Sequence, residues 1–588
     1  MRIPRRQFLA GAGLTAAALV AGSRPAHARP WSLPFTPKPP PYPDFTDRGA
    51  ILVHAQHMSD ALESHIRAWL DGRAPAEIPD SLIPRGLDRK DFPAFTLVRP
   101  EQIAAEEQWL VRPATDRVDH NAVQGYFPDP HCTYLLLPVV AAPVGCRVVI
   151  TGQFPHARFF DLQATPPFRP EVYHNGYYGV PEVPILDADL DPELGSVNPF
   201  RPGADRAAVR RDYRAAFDLK VGDPMALNPQ AFRPPDYRDK GNVRAAGAIF
   251  YQGPGQFGAP AVHDWRDRFE MAGLWVRYYA PDHAAGALGG VPLPKVRYEL
   301  PDGRRFFVRV DITAFRSRMN RARAARATPP EEPGKGFGPH KGWGKQWGIA
   351  RAIFSGVAQV TGLVDAQYVR ELDRALEGRG ENLPPPGDYE HAATECPYIT
   401  YLNRGMALGP GMVCVLTGRR PTTPRTRHGE RRMDRAQARY WSLTGYDIAW
   451  PEKDGFSGAA LHTVMDDEIV TDGAGWYVLV LSRPEDRPRN AAPESGVTWV
   501  DWGPTARVSW TLRWMSTPPE QDFALSPHQG HLGWETDWAG VRYDRGLLGR
   551  NDRSGFLGEY QPVVHYLSRA GFERLGERVR PEAVPAWS

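Results

Sequence analysis

Near the start of the chain, apolar residues recur at helical spacing. Ile51, Ala55, Met58, Leu62, Ile66 and Trp69 form one stripe that stops near Gly72, which predicts a single amphipathic helix. From about residue 120 the texture changes to short β-branched and aromatic runs broken by Gly and Pro. That pattern predicts a mainly β body with long loops. Residues 316–345 interrupt it with an Arg-rich stretch leading into Pro329-Pro330-Glu331-Glu332-Pro333-Gly334, the composition of a solvated connector. Residues 347–377 then read as helical, up to Gly378.

The β region repeats itself in short, ordered matches. Cys132-Thr133-Tyr134 has a counterpart in Cys396-Pro397-Tyr398, and Val148–Gly152 matches Val413–Gly418 in character. Ala157-Arg158-Phe159-Phe160-Asp161 matches Ala438-Arg439-Tyr440-Trp441-Ser442, and Asp187 falls with Asp466. Trp275-Val276-Arg277 matches Thr511-Leu512-Arg513. These matches predict two related β-sandwich or jelly-roll-like domains, 115–312 and 388–525, packed together because single sandwiches expose apolar edges. Around them the chain divides into a leader (1–28), a Pro-rich arm (29–46), a helical N-terminal element (47–114), an Arg/Gly/Pro-rich and helical connector (313–387) and a C-terminal extension (526–588).

The leader carries the most specific signal in the chain. Arg5-Arg6-Gln7-Phe8-Leu9 precedes a mild Ala/Gly/Leu stretch too short to span a bilayer, and Ala26-His27-Ala28 has the form of a cleavage site. The expectation is export by the twin-arginine machinery to the periplasm or beyond, with no membrane span in the mature chain. The 588 residues carry a net charge of +3, and the leader holds Arg2, Arg5, Arg6 and Arg24 with no acid, so the mature chain falls to −1. Such a protein has no global field to draw it to nucleic acid. Four cysteines, Cys132, Cys146, Cys396 and Cys414, either pair after export or stay as buried thiols, and none is spaced for structural zinc.

Together with Gly289-Gly290-Val291-Pro292-Leu293-Pro294, the Thr-Gly, Ala-Arg-aromatic and Trp-x-Arg-Tyr motifs resemble a group of exported bacterial proteins with paired β-rich domains of unknown function. The resemblance implies the fold class and an envelope location, and no chemistry.

Features kept in both copies read as scaffold. Arg158 and Arg439 are expected to be held inside each sandwich by a carboxylate, with Asp187 and Asp466 at equivalent places. Asymmetric features are the functional candidates. The first copy alone has His156, Asp161, His174 within Tyr173–Tyr178, and Asp187-x-Asp189-x-Asp191, while the second has Ser442 where the first has Asp161. Paired carboxylates beside a histidine suit general acid/base work on a glycosidic bond, and Tyr177, Tyr178 and Trp275 suit stacking on sugar faces. The catalytic candidates are therefore His156, Asp161, His174, Asp187 and Asp189. The alternate-Asp run also suits a loose calcium site or a plain solvated turn; it lacks the glycine and glutamate of an EF-hand. Otherwise no cofactor or metal is implied. No nucleophile elbow, zincin helix or phosphate loop is present. Two functions stand side by side: an exported hydrolase or binding protein using the first sandwich on a glycan or small polar ligand, and a non-catalytic envelope protein that binds a partner or assembles.

Overall fold

The computed structural model describes residues 48–82, 94–115, 129–165, 183–222, 241–251, 269–311, 399–447, 459–515, 535–542 and 558–585, with short interruptions inside these ranges. The leader, the Pro-rich arm and the connector lie outside the described residues, as do Cys396, His174, Tyr177 and Tyr178.

The predicted helix is α1 (Arg48–Leu70), followed by Gly72 in the left-handed region. Its core-facing residues include Ala55, Ser59, Leu62 and Ile66. Ser59 therefore takes a place that the apolar stripe assigned to Met58; its hydroxyl accepts the Val144 amide at 2.7 Å.

Described strands of the N-terminal half are β1 (Phe95–Val98), β2 (Leu110–Arg112), β3 (Cys132–Leu137), β4 (Arg147–Gln153), β5 (Ala157–Thr165) and β6 (Val183–Leu186). They continue with β7 (Asp212–Gly222), β8 (Val243–Tyr251), β9 (Phe269–Met271), β10 (Gly273–Pro281), β11 (Lys295–Glu299) and β12 (Arg305–Val310). The C-terminal half has β13 (Ile399–Ala407), β14 (Met412–Arg419), β15 (Tyr440–Asp447), β16 (Ala459–Met465), β17 (Trp476–Ser482), β18 (Val497–Asp501) and β19 (Arg507–Met515). After these come a small hairpin, β20 (Glu535–Asp537) and β21 (Gly540–Arg542), and finally β22 (Val563–Ser568). The protein is mainly β, and among the described residues no sheet closes on itself.

The two halves share a core strand order. In the first half one sheet runs β2-β3-β10-β5-β6; in the second it runs β13-β19-β15-β16. The other sheets share a segment too: β11-β4-β7-β8 corresponds to β22-β14-β17-β18. Within it β4–β7 and β14–β17 are antiparallel, whereas β7–β8 and β17–β18 are parallel. Register carries the equivalence to single residues. Arg277 lies opposite Asp161 and Arg513 opposite Ser442; Leu186 and Met465, the residues before Asp187 and Asp466, lie opposite Asp161 and Ser442 in turn. Gly152 faces Tyr213 and Gly418 faces Tyr477, and a Cβ on either glycine would stand 2.8 Å from the tyrosine oxygen. The Thr-Gly motif is thus a place where a tyrosine lies across a bare backbone.

Several sequence expectations need correction. β3–β10 puts Tyr134 opposite Arg277, and β13–β19 puts Tyr401 opposite Arg513. Tyr134 therefore corresponds to Tyr401, not Tyr398, and Cys132 to Ile399, not Cys396. The element read as helical, 47–114, also supplies β1 and β2 to the first half's sheets. The C-terminal extension supplies β22, which pairs with β14, so the second half reaches past residue 525. Cys132 and Cys146 are buried free thiols and do not pair with one another.

Apolar packing follows the sheets. One cluster joins residues of both first-half sheets, such as Leu135, Phe160 and Val276 with Ile150, Phe217 and Tyr298, to α1; a second joins the two sheets of the other half around Trp441, Trp510 and Trp514. A third cluster lies between the halves: Cys132, Tyr134, Phe159, Leu186 and Tyr279 pack against Tyr440, Met465 and Met515.

Candidate functional site

The repeated arginines sit in that seam, and their carboxylates are exchanged. Arg158, on β5, reaches Asp466 and Asp467 of the other half, and its Nε lies 3.3 Å from the Thr426 hydroxyl. Arg439, ahead of β15, lies 3.4 Å from Asp187 of the first half and donates to the Arg158 carbonyl at 3.4 Å. Each aspartate also accepts a backbone amide of its own half, Phe160 to Asp187 at 3.0 Å and Trp441 to Asp466 at 2.9 Å. The expectation of an arginine held within each sandwich is therefore corrected: each carboxylate anchors its own β-strand and neutralises the partner half's arginine. All four side chains are buried. At such depth an unpaired charge is strongly disfavoured, and pairing with good hydrogen bonds removes that cost.

Asp161 has a similar place. It is fully buried, and Arg277 grips it with Nε at 3.0 Å and Nη2 at 2.5 Å while Gln163 donates at 2.7 Å. In the second half Ser442 stands in its position, and the carboxylate near Arg513 is Asp129 of the first half, 3.9 Å away. Ser442 and Tyr440 each donate to Asp129 at 2.8 Å. Burial opposes the charge on Asp129, but Arg513, His131 and the two hydroxyls outweigh it and hold its pKa below the usual carboxylate range. Next to it the buried His131 faces Glu468 across the seam at 3.4 Å. Burial works against protonated His131, yet Glu468 and Asp129 prevail and raise its pKa, while Glu468 is lowered.

The predicted catalytic residues that lie among the described ones face different partners. Asp187 points into the seam, and Asp191, exposed, pairs with Arg201 at 2.5 Å. Asp189 lies between them in a turn closed by Asn198, whose amide donates to the carbonyls of Asp187 at 2.6 Å and Leu190 at 2.7 Å. The alternate carboxylates thus face different partners, and among the described residues no group of three or more His, Cys, Asp and Glu is arranged for a metal ion. Trp275 is half-buried, edge-on to Tyr134 at 5.7 Å, and packs against the seam cluster.

His156 occupies a different place, the turn between β4 and β5. Its amide donates to the Gly289 carbonyl at 2.8 Å and its carbonyl accepts the Asp282 amide at 2.9 Å. A Cβ on Gly289 would stand 2.7 Å from Pro155 Cβ, so the glycine allows the two turns to close on one another. Around them Arg206 binds both oxygens of Asp282, at 2.6 and 2.9 Å, and donates to the carbonyls of Thr426 and Glu430 from the second half. Arg211 lies beside this pair. Burial, then Arg211 and Arg206, push the His156 pKa down to about 4, leaving it neutral at pH 7.

Sequence reasoning missed Asp129, His131, Arg206 and Arg211. None belongs to a spaced motif; the one signal was Asp129-Pro130-His131 placed directly before a strand of the repeat.

No protein-family model matches the chain, and no curated protein matches it. Solved structures with partial likeness are an uncharacterized protein from Burkholderia cenocepacia (11% identity, 80% of this chain and 96% of that one, TM-score 0.33) and the VPA0106 protein from Vibrio parahaemolyticus (10% identity, 81% and 96%, TM-score 0.26). At those scores neither likeness bears on chemistry.

Proposed function

We propose that this is an exported, non-catalytic binding protein of the bacterial envelope, built from two β-sandwich halves locked into one body. The observation that supports this over hydrolysis is the engagement of the candidate acids. Asp161 is buried in a two-bond pair with Arg277, and Asp187 is buried between the Phe160 amide and Arg439. A general acid or nucleophile has to reach substrate, and these carboxylates face arginine and backbone instead. Export follows the twin-arginine route through Arg5 and Arg6; no helix among the described residues is long and apolar enough to cross a membrane.

Asp161→Asn separates the two functions. A structural acid predicts a lowered melting temperature and no hydrolytic activity on aryl-glycoside or oligosaccharide panels in either protein. Turnover by the wild type that Asp161→Asn abolishes at unchanged stability would establish the hydrolase. For export, Arg5→Lys with Arg6→Lys should hold the precursor in the cytoplasm; normal export of that double variant would refute the route.

A further inference from the structure

We propose that Arg211, with His156 beside it and the Gly289-Gly290 turn closing over the β4–β5 connection, binds a small carboxylate monoanion. This rests on the reading of the protein as a binder and names the chemistry of what it binds.

The argument begins with an unmatched charge. Arg211 is 5% exposed, its side chain has no hydrogen bond or ion pair among the described residues, and its Nη1 is buried without a partner. Its neighbour Arg206 is equally buried but fully answered, by both oxygens of Asp282 and by carbonyls from the other half. A buried guanidinium without a counter-ion is strongly disfavoured unless something external completes it. The surroundings worsen its position, since burial and Arg206 both act against its charge while Asp282 only partly offsets them.

Charge balance indicates the ligand. Among the described residues Arg206 is paired with Asp282 and Arg211 is left without an ion pair, and a monoanion would supply one counter-charge. The planar fork of a guanidinium fits a carboxylate with two parallel hydrogen bonds. His156 lies beside Arg211, and an anion held there would offset the repulsion from Arg211 and Arg206 that adds to burial in lowering its pKa. The neighbourhood is also held in place: the Phe154 amide bonds to the Arg211 carbonyl at 2.9 Å, and the His156 amide and carbonyl are both fixed. Such a site is preorganised for its ligand.

The test uses the full mature chain, with acetate as probe against chloride at equal ionic strength. Acetate should raise the melting temperature saturably and bind measurably by calorimetry. Arg211→Gln should weaken that binding at least about tenfold, the loss expected for one charge-assisted hydrogen bond. In chloride the same variant should melt no lower than the wild type, because it removes a buried cation whose position Asp282 only partly offsets. His156, followed by NMR with His156→Gln for assignment, should titrate at higher pH in saturating acetate. Equal melting in acetate and chloride, or a clear loss of stability in Arg211→Gln, would overturn the site. Phosphate or sulfate binding more tightly than acetate through Arg211 would overturn the ligand class. Failure of any of these leaves the non-catalytic reading standing, whereas glycoside turnover would end that reading and leave the anion site intact.

Discussion

Replacing Asp466 by Asn removes one charge from the seam while keeping an oxygen that can accept the Trp441 amide. Arg158 would then retain only Asp467, which is 29% exposed and less able to neutralise a fully buried guanidinium. Breaking a buried pair from one side costs about 3–5 kcal/mol, and Asp467 places this variant toward the lower end. For units of about 150–250 residues each kcal/mol moves the midpoint about 2–4 °C, so Asp466→Asn should melt about 6–12 °C lower. Arg158→Met should be worse, because it leaves Asp466 and Asp467 side by side with their shared cation gone. The double variant should be no less stable than Arg158→Met alone, since removing both members of a buried pair relieves the charge that the single variant strands. Thermal unfolding followed by tryptophan fluorescence suits the question, because Trp441 is buried next to Asp466. A second readout is cooperativity: the wild type should unfold in one transition and the Asp466→Asn protein in two. A midpoint within about 2 °C of wild type with a single transition would refute the idea that exchanged ion pairs lock the halves.

The His131–Glu468 contact should give a pH window. His131 has a raised folded pKa, so its contribution is complete below its ordinary value of 6.5 and is lost as pH rises through the folded value. Glu468 is lowered, so its share is present above 4.5 and is lost as pH falls through its folded value. Asp129 also faces His131 and favours the protonated ring, while Arg427 opposes it. The melting difference between wild type and His131→Gln should therefore be largest at about pH 5–6 and shrink by about pH 8; a flat difference would mean the contact carries no proton linkage. Gly152→Ala and Gly418→Ala should each cost about 1–3 kcal/mol by driving a methyl into Tyr213 or Tyr477. Tyr213→Phe should partly restore Gly152→Ala, and no rescue in that pair would show that the clash lies elsewhere.

Much of the scaffold was legible in the sequence, because it rests on local pattern. The helical stripe placed α1 to within a few residues, and the order of Arg158, Asp187 and Arg277 with Arg439, Asp466 and Arg513 survives in strand register. The first match failed because a shared Cys-x-Tyr outweighed the pairing partner, which only the sheet shows. Strands β1 and β2 were missed because runs of 3–4 residues carry too little alternation to separate them from loop. β22 was missed because all its residues are buried and its partner lies far back in the chain, at β14. The destination of each arginine was also hidden. Spacing puts Arg158 and Asp187 in one repeat, but which carboxylate reaches which guanidinium depends on how the halves dock.

That docking changes what asymmetry between repeats means. Ser442 in place of Asp161 suggested a catalytic acid kept in one copy and lost in the other. In the folded chain the need for a carboxylate persists in both copies, because Arg277 and Arg513 occupy the same register position and both are buried. The first copy meets it from within its own sheet, through Asp161. The second receives Asp129 from its neighbour, with Ser442 and Tyr440 donating to it, and Ser442 has room to donate because it is small. Arg158 with Asp466, Arg439 with Asp187 and Arg513 with Asp129 all cross the seam, while Arg277 with Asp161 does not. A half on its own would keep buried arginines and aspartates whose counter-ions had left with the other half. Each half is thus completed by its neighbour, and the asymmetric acid records how the two were joined.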